Sequence, residues 1–392
     1  MRVTHIITRL VVGGAQENTV ASVLGLRQIP GVEVHLLSGP TTGPEGSLES
    51  EFAGTPEILT RVPDLVRPIH PLKDWLALRR IEIILREQKP DIVHTHSGKA
   101  GILGRLAARR AGVPVIIHHI HGPSFGPFQG LPANWIFTAA ERYAAGVTTH
   151  FVCSAQAMTR LYLAAGIGRP EMYTRIFSGF PVEPFLRATN DLALRAQFGL
   201  NENHFVIGKI ARLFKLKGHA DLLAAFQKIL PQTPQARLLL VGDGTLRNEI
   251  ENQVRALGLQ SKVIFTGLVP PGEVPRYVGI MDCLAHLSAR EALSRALPQA
   301  LAAGKPVVAY DFDGADEVCL EGETGFLVRT GDIATVTQRL LQLANDAPLR
   351  ERLGRRGQQF VRENFAVEQM VDNLYHLYLK LAAERGVNLS AD

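Results

Sequence analysis

Cysteine is scarce in this chain of 392 residues, in which Cys153, Cys283 and Cys319 stand far apart. No Cys-x-x-Cys pair and no Cys/His ligand spacing occurs, so neither a disulfide framework nor a structural zinc site is expected. No stretch approaches the ~20 apolar residues that span a bilayer. The first residues also lack the apolar core of a signal peptide. We therefore expect a cytoplasmic protein that is at most peripherally associated with a membrane.

Blocks of one charge are also missing. The chain has 42 Lys and Arg residues against 37 Asp and Glu residues, which gives a net charge of +5. The basic residues are spread along the chain, so no nucleic-acid partner is expected. The basic segment from Arg105 to Arg110 could contact anionic lipid or phosphate. A solvated helix surface is the favoured interpretation of that segment.

The length and the 46% hydrophobic content predict two domains with buried cores. Buried strand patterns alternate with helical patterns along the whole chain, which indicates two α/β domains with parallel sheets. The Gly/Pro-rich segment from Ser178 to Pro184 is the best linker candidate, so we place the domains at residues 1–183 and 184–366. A long amphipathic helix is predicted from Val367 to Glu384.

Gly13 and Gly14 follow the first predicted strand and precede a predicted helix. Backbone amides at such a turn can meet a phosphate or another substrate group at the start of the helix. No complete G-x-G-x-x-G fingerprint with an acidic ribose ligand is present, so an NAD-dependent oxidoreductase is disfavoured.

Histidines cluster at the ends of two predicted strands of the first half, at His94, His96, His118, His119 and His121. Carboxyl ends of parallel strands are where open α/β sheets place their sites. Bound metal is one interpretation, but no carboxylate or cysteine stands nearby at ligand spacing. A contact of His121 with a sugar or a phosphate is favoured, whereas His94 and His118 are expected to be packed strand residues.

The segment from Phe125 to Phe137 is rich in Gly, Pro and aromatic residues, and it includes Phe128 and Trp135. It could form an apolar lip for a lipid-like acceptor. A loop that packs into the core is an equally good interpretation.

In the second half, polar groups follow three predicted strands whose ends share one edge of the sheet. Arg212 and Lys217 are two cations that suit a diphosphate, because Arg offers a planar fork and Lys a point charge. Backbone groups after Gly267 could contact a flat base edge, and Glu291 could hold sugar hydroxyls. This pattern predicts a pocket for a nucleotide sugar. The alternative for Arg212 and Lys217 is a solvated basic loop.

The stretch from Ser288 to Gly304 predicts a loop, a helix and a tight turn. Glu291 is placed at the junction of loop and helix, and Gln299 follows eight residues later on roughly the same helix face. Asp311-Phe312-Asp313 is interpreted as turn chemistry, since Asp and Gly favour loops.

These motifs together resemble the family 4 retaining glycosyltransferases of the bacterial polysaccharide type. The resemblance covers essentially the whole chain. It is carried by Gly13 to Gln16, His94 to Gly101, His121-Gly122, Gly208 to Gly218, Leu238 to Gly244, Phe265 to Gly267, Glu291 to Ala309 and Gly325 to Val328.

The resemblance implies a GT-B fold, in which two Rossmann-like domains face each other across a cleft. The first would bind a glycan or lipid-linked acceptor and the second a nucleotide sugar, with a UDP-sugar slightly favoured over a GDP-sugar. Residues 367–392 would pack back toward the first domain. The implied reaction retains the anomeric configuration and needs no metal or other cofactor. A peripheral contact with the inner membrane fits this type.

The resemblance also implies residue roles. Arg212, Lys217, Glu291 and His121 are the expected catalytic residues. The two cations would stabilise charge on the leaving diphosphate, Glu291 would contact the donor sugar, and His121 would lie close to it. The donor would further contact a set of mostly backbone groups: Gly13, Gly14, Gly267, Leu268, Val269, Leu293, Ser294 and Gln299.

Two departures from the family pattern stand out. Gln299 replaces the second acid of the family's Glu-x7-Glu segment, so it keeps one acceptor oxygen and loses the charge. Ala292 and Ser294 replace glycines that usually follow the first acid, which leaves the loop less permissive. These departures motivate the alternative of a non-catalytic binding or partner subunit with the same fold.

Overall fold

The computed structural model describes residues 1–42, 46–96, 98–126 and 129–387. Part of the aromatic segment from Phe125 to Phe137, including Phe128, lies outside these ranges. The chain divides into two compact units. The first comprises Met1–Phe180 and the segment that begins at Val367, and the second comprises Pro181–Ala366. The chain thus passes from the first unit to the second between Phe180 and Pro181, within the predicted linker segment.

The first unit contains a seven-stranded parallel sheet with the strand order β3-β2-β1-β4-β5-β6-β7. Its strands are β1 (Arg2–Ile7), β2 (Glu33–Ser38), β3 (Leu59–Arg61), β4 (Ile92–His96), β5 (Val115–Ile120), β6 (His150–Cys153) and β7 (Tyr173–Arg175). Its main helices are α1 (Gly14–Leu26), α2 (Pro71–Gln88), α3 (Gly98–Ala111), α4 (Leu131–Ala145) and α5 (Gln156–Ala164).

The second unit contains a six-stranded parallel sheet with the order β10-β9-β8-β11-β12-β13. Its strands are β8 (Phe205–Ile210), β9 (Ala236–Val241), β10 (Val263–Gly267), β11 (Cys283–His286), β12 (Val307–Tyr310) and β13 (Gly325–Val328). Its helices are α6 (Glu183–Leu186), α7 (Leu192–Gln197), α8 (His219–Ile229), α9 (Arg247–Ala256), α10 (Val274–Gly279), α11 (Ala296–Ala302), α12 (Ile333–Asn345) and α13 (Ala347–Asn364). The predicted alternation of strand and helix is confirmed in both units.

The final helix, α14 (Val367–Glu384), packs within the first unit. Met370, Leu374 and Tyr378 of α14 join the apolar core on the side of the sheet that α1 also covers. Nδ1 of His94 on β4 lies 2.5 Å from the Tyr378 hydroxyl oxygen. The helix is thus held by buried apolar area and by buried polar contacts, which also include Asn18 Nδ2 with Met370 Sδ at 3.0 Å.

The expectation that the segment from Phe125 to Phe137 is a loop is wrong from Leu131 onward, because α4 begins there and includes both Trp135 and Phe137. Leu131, Trp135 and Tyr143 are exposed large apolar side chains of this helix. Pro132 in the first turn is compatible with a helix start, since its missing N–H has no partner there.

The predicted solvated surface of the basic segment holds for Arg109 and Arg110, which are exposed, but it is wrong at Arg105. The Arg105 side chain is completely buried, and its Nη2 donates to Glu141 Oε2 at 2.6 Å. Its Nε donates to the carbonyl oxygen of Gly101 at 2.7 Å. The other Glu141 oxygen accepts from Ser124 Oγ at 2.9 Å. The buried charges are therefore paired and hydrogen-bonded, as burial requires.

Candidate active site

Two loops at the carboxyl ends of β8 and β11 are joined to each other in the second unit. The amide of Ala289 donates to the carbonyl oxygen of Leu216 at 2.8 Å. Leu216 has φ 65° and Gly218 has φ 69°, so both lie in the left-handed region. A Cβ added to Gly218 would lie 1.8 Å from the carbonyl oxygen of Leu287. The close approach of the two loops therefore requires glycine at this position.

Lys217 and Glu291 form an ion pair across these loops, as Lys217 Nζ donates to Glu291 Oε1. Ser288 Oγ lies 3.3 Å from the same carboxylate oxygen. The side chains of Lys217 and Glu291 are 16% and 30% exposed, so the pair is accessible to a ligand. The structure thus brings together two of the four predicted catalytic residues.

Asp313 anchors the backbone of Glu291, a role that the sequence analysis did not assign to it. Its Oδ2 accepts from the Glu291 amide at 2.8 Å, and its own φ of 51° marks a tight turn. Burial, together with the nearby Glu291 carboxylate, raises the pKa of Asp313. The predicted turn chemistry of Asp311-Phe312-Asp313 is confirmed. The contact with Glu291 spans 22 residues of sequence, and no local pattern signals it.

The other predicted donor contacts of this unit lie at neighbouring strand ends. Arg212 is exposed, and its guanidinium lies 4.8 Å from the centre of the Phe214 ring. The carbonyl oxygen of Gly267 accepts from the Gly242 amide at 3.0 Å, which joins the ends of β10 and β9. Leu268 is 74% exposed, and Val269 is partly buried.

The predicted helix face shared by Glu291 and Gln299 is wrong. Helix α11 begins at Ala296, so Glu291, Leu293 and Ser294 lie in the preceding loop, whereas Gln299 lies in the helix. The loop keeps its shape through long-range hydrogen bonds, including one from the Gly314 amide to the carbonyl oxygen of Ala292 at 3.1 Å. The predicted stop at Gly304 is confirmed, since α11 ends at Ala302 and Gly304 has φ 69°.

Lys209 at the end of β8 is a buried lysine that the sequence analysis missed. It is 1% exposed, and Nζ has no hydrogen-bond partner in the described part of the chain. Burial, reinforced by the nearby Lys217, lowers the pKa of Lys209 to about 7. A cation this close to an apolar core is destabilising unless it loses its proton.

We expect Lys209→Met to raise the free energy of unfolding by on the order of 5 kcal/mol at pH 6.5, since one pKa unit is worth about 1.4 kcal/mol. The pKa of Lys209 is lower in the folded chain, so unfolding takes up a proton between about pH 7 and 10.5. The penalty is therefore full below pH 7 and fades toward pH 10.5. Denaturant titrations at pH 6.5 and 9.5 measure it, and Lys228→Met on exposed α8 surface is the control. A gain that grows with pH would contradict this assignment.

Four of the five predicted histidines form one group in the first unit, together with His5, which was not predicted as a member. His5, His94, His96, His119 and His121 lie on the same side of the sheet as α1 and α14, because side chains two residues apart on a strand share a face. His119 and His121 stack with ring centres 3.9 Å apart. The expectation that His94 and His118 are packed strand residues is confirmed, as both are buried. His118 lies on the opposite face, and its Nδ1 is 2.9 Å from Thr95 Oγ1.

Two triplets of this cluster have ring nitrogens within 4.8 Å of one another: His5 with His94 and His96, and His96 with His119 and His121. A metal ion needs nitrogen lone pairs that converge on one point. The lone pair of each imidazole nitrogen lies in the plane of its ring. The His5 and His96 rings are within 14° of parallel, and the His119 and His121 rings within 15°. The other ring pairs of the two triplets are tilted by 21° to 39°. The facing nitrogens of His5 and His96, and those of His96 and His121, lie 2.9 Å apart, which is the distance of a hydrogen bond between rings.

Gly13 and Gly14 lie at the start of α1, at the edge of the first sheet where the carboxyl end of β1 lies. The Glu17 amide donates to the carbonyl oxygen of Gly13 at 2.9 Å, which closes the first helical turn. A Cβ added to Gly13 would lie 2.9 Å from Gln16 Oε1. The strand, glycine turn and helix therefore follow one another as predicted.

Both halves of the chain match known family models. Residues 13–176 match the model described as glycosyl transferase 4-like domain, and residues 190–360 match the model described as glycosyl transferases group 1. The chain is 27% identical over 328 residues to an Escherichia coli UDP-Gal:alpha-D-GlcNAc-diphosphoundecaprenol alpha-1,3-galactosyltransferase, covering 83% of this chain and 84% of that one. It is 31% identical over 305 residues to a Bacillus anthracis N-acetyl-alpha-D-glucosaminyl L-malate synthase, covering 77% of this chain and 78% of that one.

Among solved structures, the chain is similar to Anabaena HepE, crystallised in complex with UDP, with a TM-score of 0.82 and 22% identity. The similarity covers 97% of this chain and all of that one, and it shows the fold. The two parallel-sheet units are thus the Rossmann-like domains of a GT-B glycosyltransferase. The chain belongs to the family 4 type of glycosyltransferases, as its motifs indicated.

Across the described ranges, we find no helix that is both long enough and apolar enough to cross a bilayer.

Proposed function

We propose that this protein transfers a sugar, with retention of configuration and without a metal, from a UDP-sugar to a glycan or lipid-linked acceptor in cell-surface polysaccharide synthesis. The observation that carries the proposal is the accessible Lys217–Glu291 pair at the ends of β8 and β11. A cation held beside a carboxylate offers one group to phosphate and another to sugar hydroxyls. The Escherichia coli relative, whose name specifies a UDP-sugar and a lipid-linked acceptor, supports the donor and acceptor classes.

In the proposed reaction, the bond between the anomeric carbon and the donor phosphate oxygen breaks. An acceptor hydroxyl oxygen forms the new bond on the same face of the sugar, and its proton passes to the leaving diphosphate. Lys217 and Arg212 stabilise the negative charge that develops on the leaving group. Glu291 exchanges its contact with Lys217 for sugar hydroxyls when the donor binds. A hexose or an N-acetylhexosamine fits this scheme.

The remaining donor contacts are proposed from the family motifs. Backbone groups of Gly267, Leu268 and Val269 would contact the base, and Gln299 the ribose. Leu293 and Ser294 would contact the sugar or phosphate, as would Gly13 and Gly14. A non-catalytic partner subunit is not favoured, because Lys217 and Glu291 are both present and already held together by the loops.

A peripheral contact with the inner membrane belongs to the same proposal. Helix α4 exposes Leu131 at 87%, Trp135 at 73% and Tyr143 at 71%, and these side chains would otherwise remain in water. Aromatic rings with a polar tip favour the interface between water and lipid. An acceptor with a lipid anchor would be reached from such a position.

The test is transfer by the purified protein from UDP-glucose, UDP-galactose, UDP-N-acetylglucosamine and GDP-mannose to polyprenyl-diphosphate sugars in anionic vesicles. We expect turnover with one UDP-sugar, an α-linked product by NMR, unchanged rates in EDTA, and sedimentation of the protein with the vesicles. A β-linked product or loss of turnover in EDTA would contradict the retaining, metal-independent reaction. Absence of UDP binding in calorimetry would instead favour the partner subunit, and failure to sediment would remove the membrane contact.

A further inference from the structure

Three of the clustered histidines form a hydrogen-bonded row, which we call the histidine file: His5, His96 and His121. Nδ1 of His5 lies 2.9 Å from Nε2 of His96. Nδ1 of His96 lies 2.9 Å from Nε2 of His121. Each contact joins two ring nitrogens, so one nitrogen must carry the proton and the other must accept it.

The rings of the file are neutral at ordinary pH. Burial lowers the pKa of His5 and of His121 to about 3. Burial, as the largest cause, and the neighbouring histidines, as a smaller one, lower the pKa of His96 well below its usual value. No carboxylate is hydrogen-bonded to a member of the file in the described ranges, so nothing there compensates a buried imidazolium. His121 is therefore not a charged imidazolium that could give up a proton.

Neutral rings leave two proton arrangements. In the outward arrangement every ring carries its proton on Nδ1, so His5 donates to His96, and His96 donates to His121. In the inward arrangement every ring carries its proton on Nε2, and the donations run the other way. The two arrangements differ at the ends of the file, where His5 is fully buried and His121 is only partly buried.

The buried end decides between them. Nε2 of His5 is enclosed and has no hydrogen-bond partner in the described part of the chain. The inward arrangement would leave an N–H group there without an acceptor, which is rare and costly in protein interiors. The outward arrangement leaves only a bare lone pair, and all its N–H groups up to His121 have acceptors.

We propose that the histidine file runs outward, so that His121 presents a neutral Nδ1–H donor to a phosphate or hydroxyl oxygen of the sugar donor. His5 and His96 are then positioning residues that hold the His121 ring and its tautomer. Stacking of His121 on His119 fixes the ring plane as well. The contact with the donor rests on the proposed function, whereas the tautomers of the file do not.

The tautomers can be measured on the free protein by long-range 1H–15N correlation NMR with 15N-labelled histidine. The chain has 13 histidines, and the signals of the file are assigned from those that disappear in His5→Asn, His96→Asn and His121→Asn. We expect a protonated Nδ1 and a bare Nε2 in all three rings. Protonated Nε2 in His96 or His121 would overturn the proposal. Two bare nitrogens facing each other between His5 and His96 would do so too, because they would indicate a bound metal.

Addition of UDP and of a UDP-sugar shows whether the His121 N–H donates to a phosphate oxygen or to a sugar hydroxyl oxygen. A shift of the His121 Nδ1–H signal with UDP alone indicates a phosphate oxygen, and a shift only with the intact donor indicates a sugar hydroxyl. If calorimetry shows that the donor binds and the signal does not move, the contact is wrong. If no nucleotide binds, the proposed function fails while the tautomer result stands.

A matched pair of variants tests the positioning role. His96→Asn keeps an N–H donor near the place of Nδ1, whereas His96→Leu has nearly the same shape without a donor. We expect the Leu variant to have a kcat about three- to tenfold lower than the Asn variant, with similar donor KM. Thermal unfolding controls for folding. Equal kcat in both variants would reduce His96 to a packing residue and overturn its role.

Discussion

Lys217→Ala is expected to lower kcat by about 100- to 1000-fold, the usual loss when one group that stabilises transition-state charge is removed. Lys217 is the cation that the loops place directly beside Glu291. The charge on the leaving diphosphate exists mainly in the transition state, so the loss should fall on kcat more than on KM. Steady-state kinetics with the preferred donor measures both constants.

Lys215→Ala is the matched control for this prediction. Lys215 is an exposed lysine of the same loop, so its removal changes net charge equally without touching Glu291. We expect its kcat to stay within about twofold of the parent, since exposed charges contribute little. Glu291→Ala should also lose turnover by orders of magnitude. Full activity in both Lys217→Ala and Glu291→Ala would show that the site lies elsewhere.

Much of the fold follows from local patterns. Helix α14 has the bounds that the sequence predicts, Val367–Glu384. Buried parallel strands are short apolar runs, and glycine or proline ends them clearly. Both parallel sheets were predictable on this basis. The short edge strand β3 (Leu59–Arg61) was missed, as its three residues carry no period.

The failures have a common physical cause, which is long-range contact. Residues 291–295 fit a helical pattern, but they form a loop. The Asp313 carboxylate accepts a hydrogen bond from the Glu291 amide, and the Ala292 carbonyl oxygen accepts one from the Gly314 amide. These hydrogen bonds outweigh helix propensity, which is worth only tenths of a kcal/mol per residue. Lys209 is a similar case, because an apolar strand pattern gives no sign of an unpaired lysine at its end.

The candidate site was predictable in its residue types and only partly in its geometry. Arg212, Lys217 and Glu291 follow strands of one parallel sheet, so a shared edge could be inferred. Their mutual contacts could not, because the loop conformation depends on positive φ at Leu216 and Gly218 and on the enclosed turn at Asp313. The direct pairing of Lys217 with Glu291 is the feature that the structure adds.

Arg105 is another residue whose long-range partner the sequence does not reveal. Its partner Glu141 lies 36 residues away on α4, and the two side chains are 0% and 1% exposed. Removal of one partner of such a pair leaves an uncompensated buried charge, which costs about 3–5 kcal/mol. We therefore expect Glu141→Leu to lower the free energy of unfolding of the first unit by about that amount.

A double-mutant cycle separates the charge from the packing. Arg105→Met alone leaves the Glu141 carboxylate buried and unpaired, so it should be as destabilising as Glu141→Leu. The double variant buries no charge, and we expect it to recover most of the loss, since an apolar pair can replace a buried ion pair at little cost. Urea unfolding followed by circular dichroism measures each variant.

Arg109→Met on the exposed side of the same helix is the control, and it should change the free energy of unfolding by less than about 0.5 kcal/mol. Additive losses in the double variant would mean that Arg105 and Glu141 act independently, each through its other hydrogen bonds. Recovery would mean that their mutual charge compensation dominates. We expect recovery, because Nη2 and Oε2 form the shortest hydrogen bond of the buried network, at 2.6 Å, and both are charged.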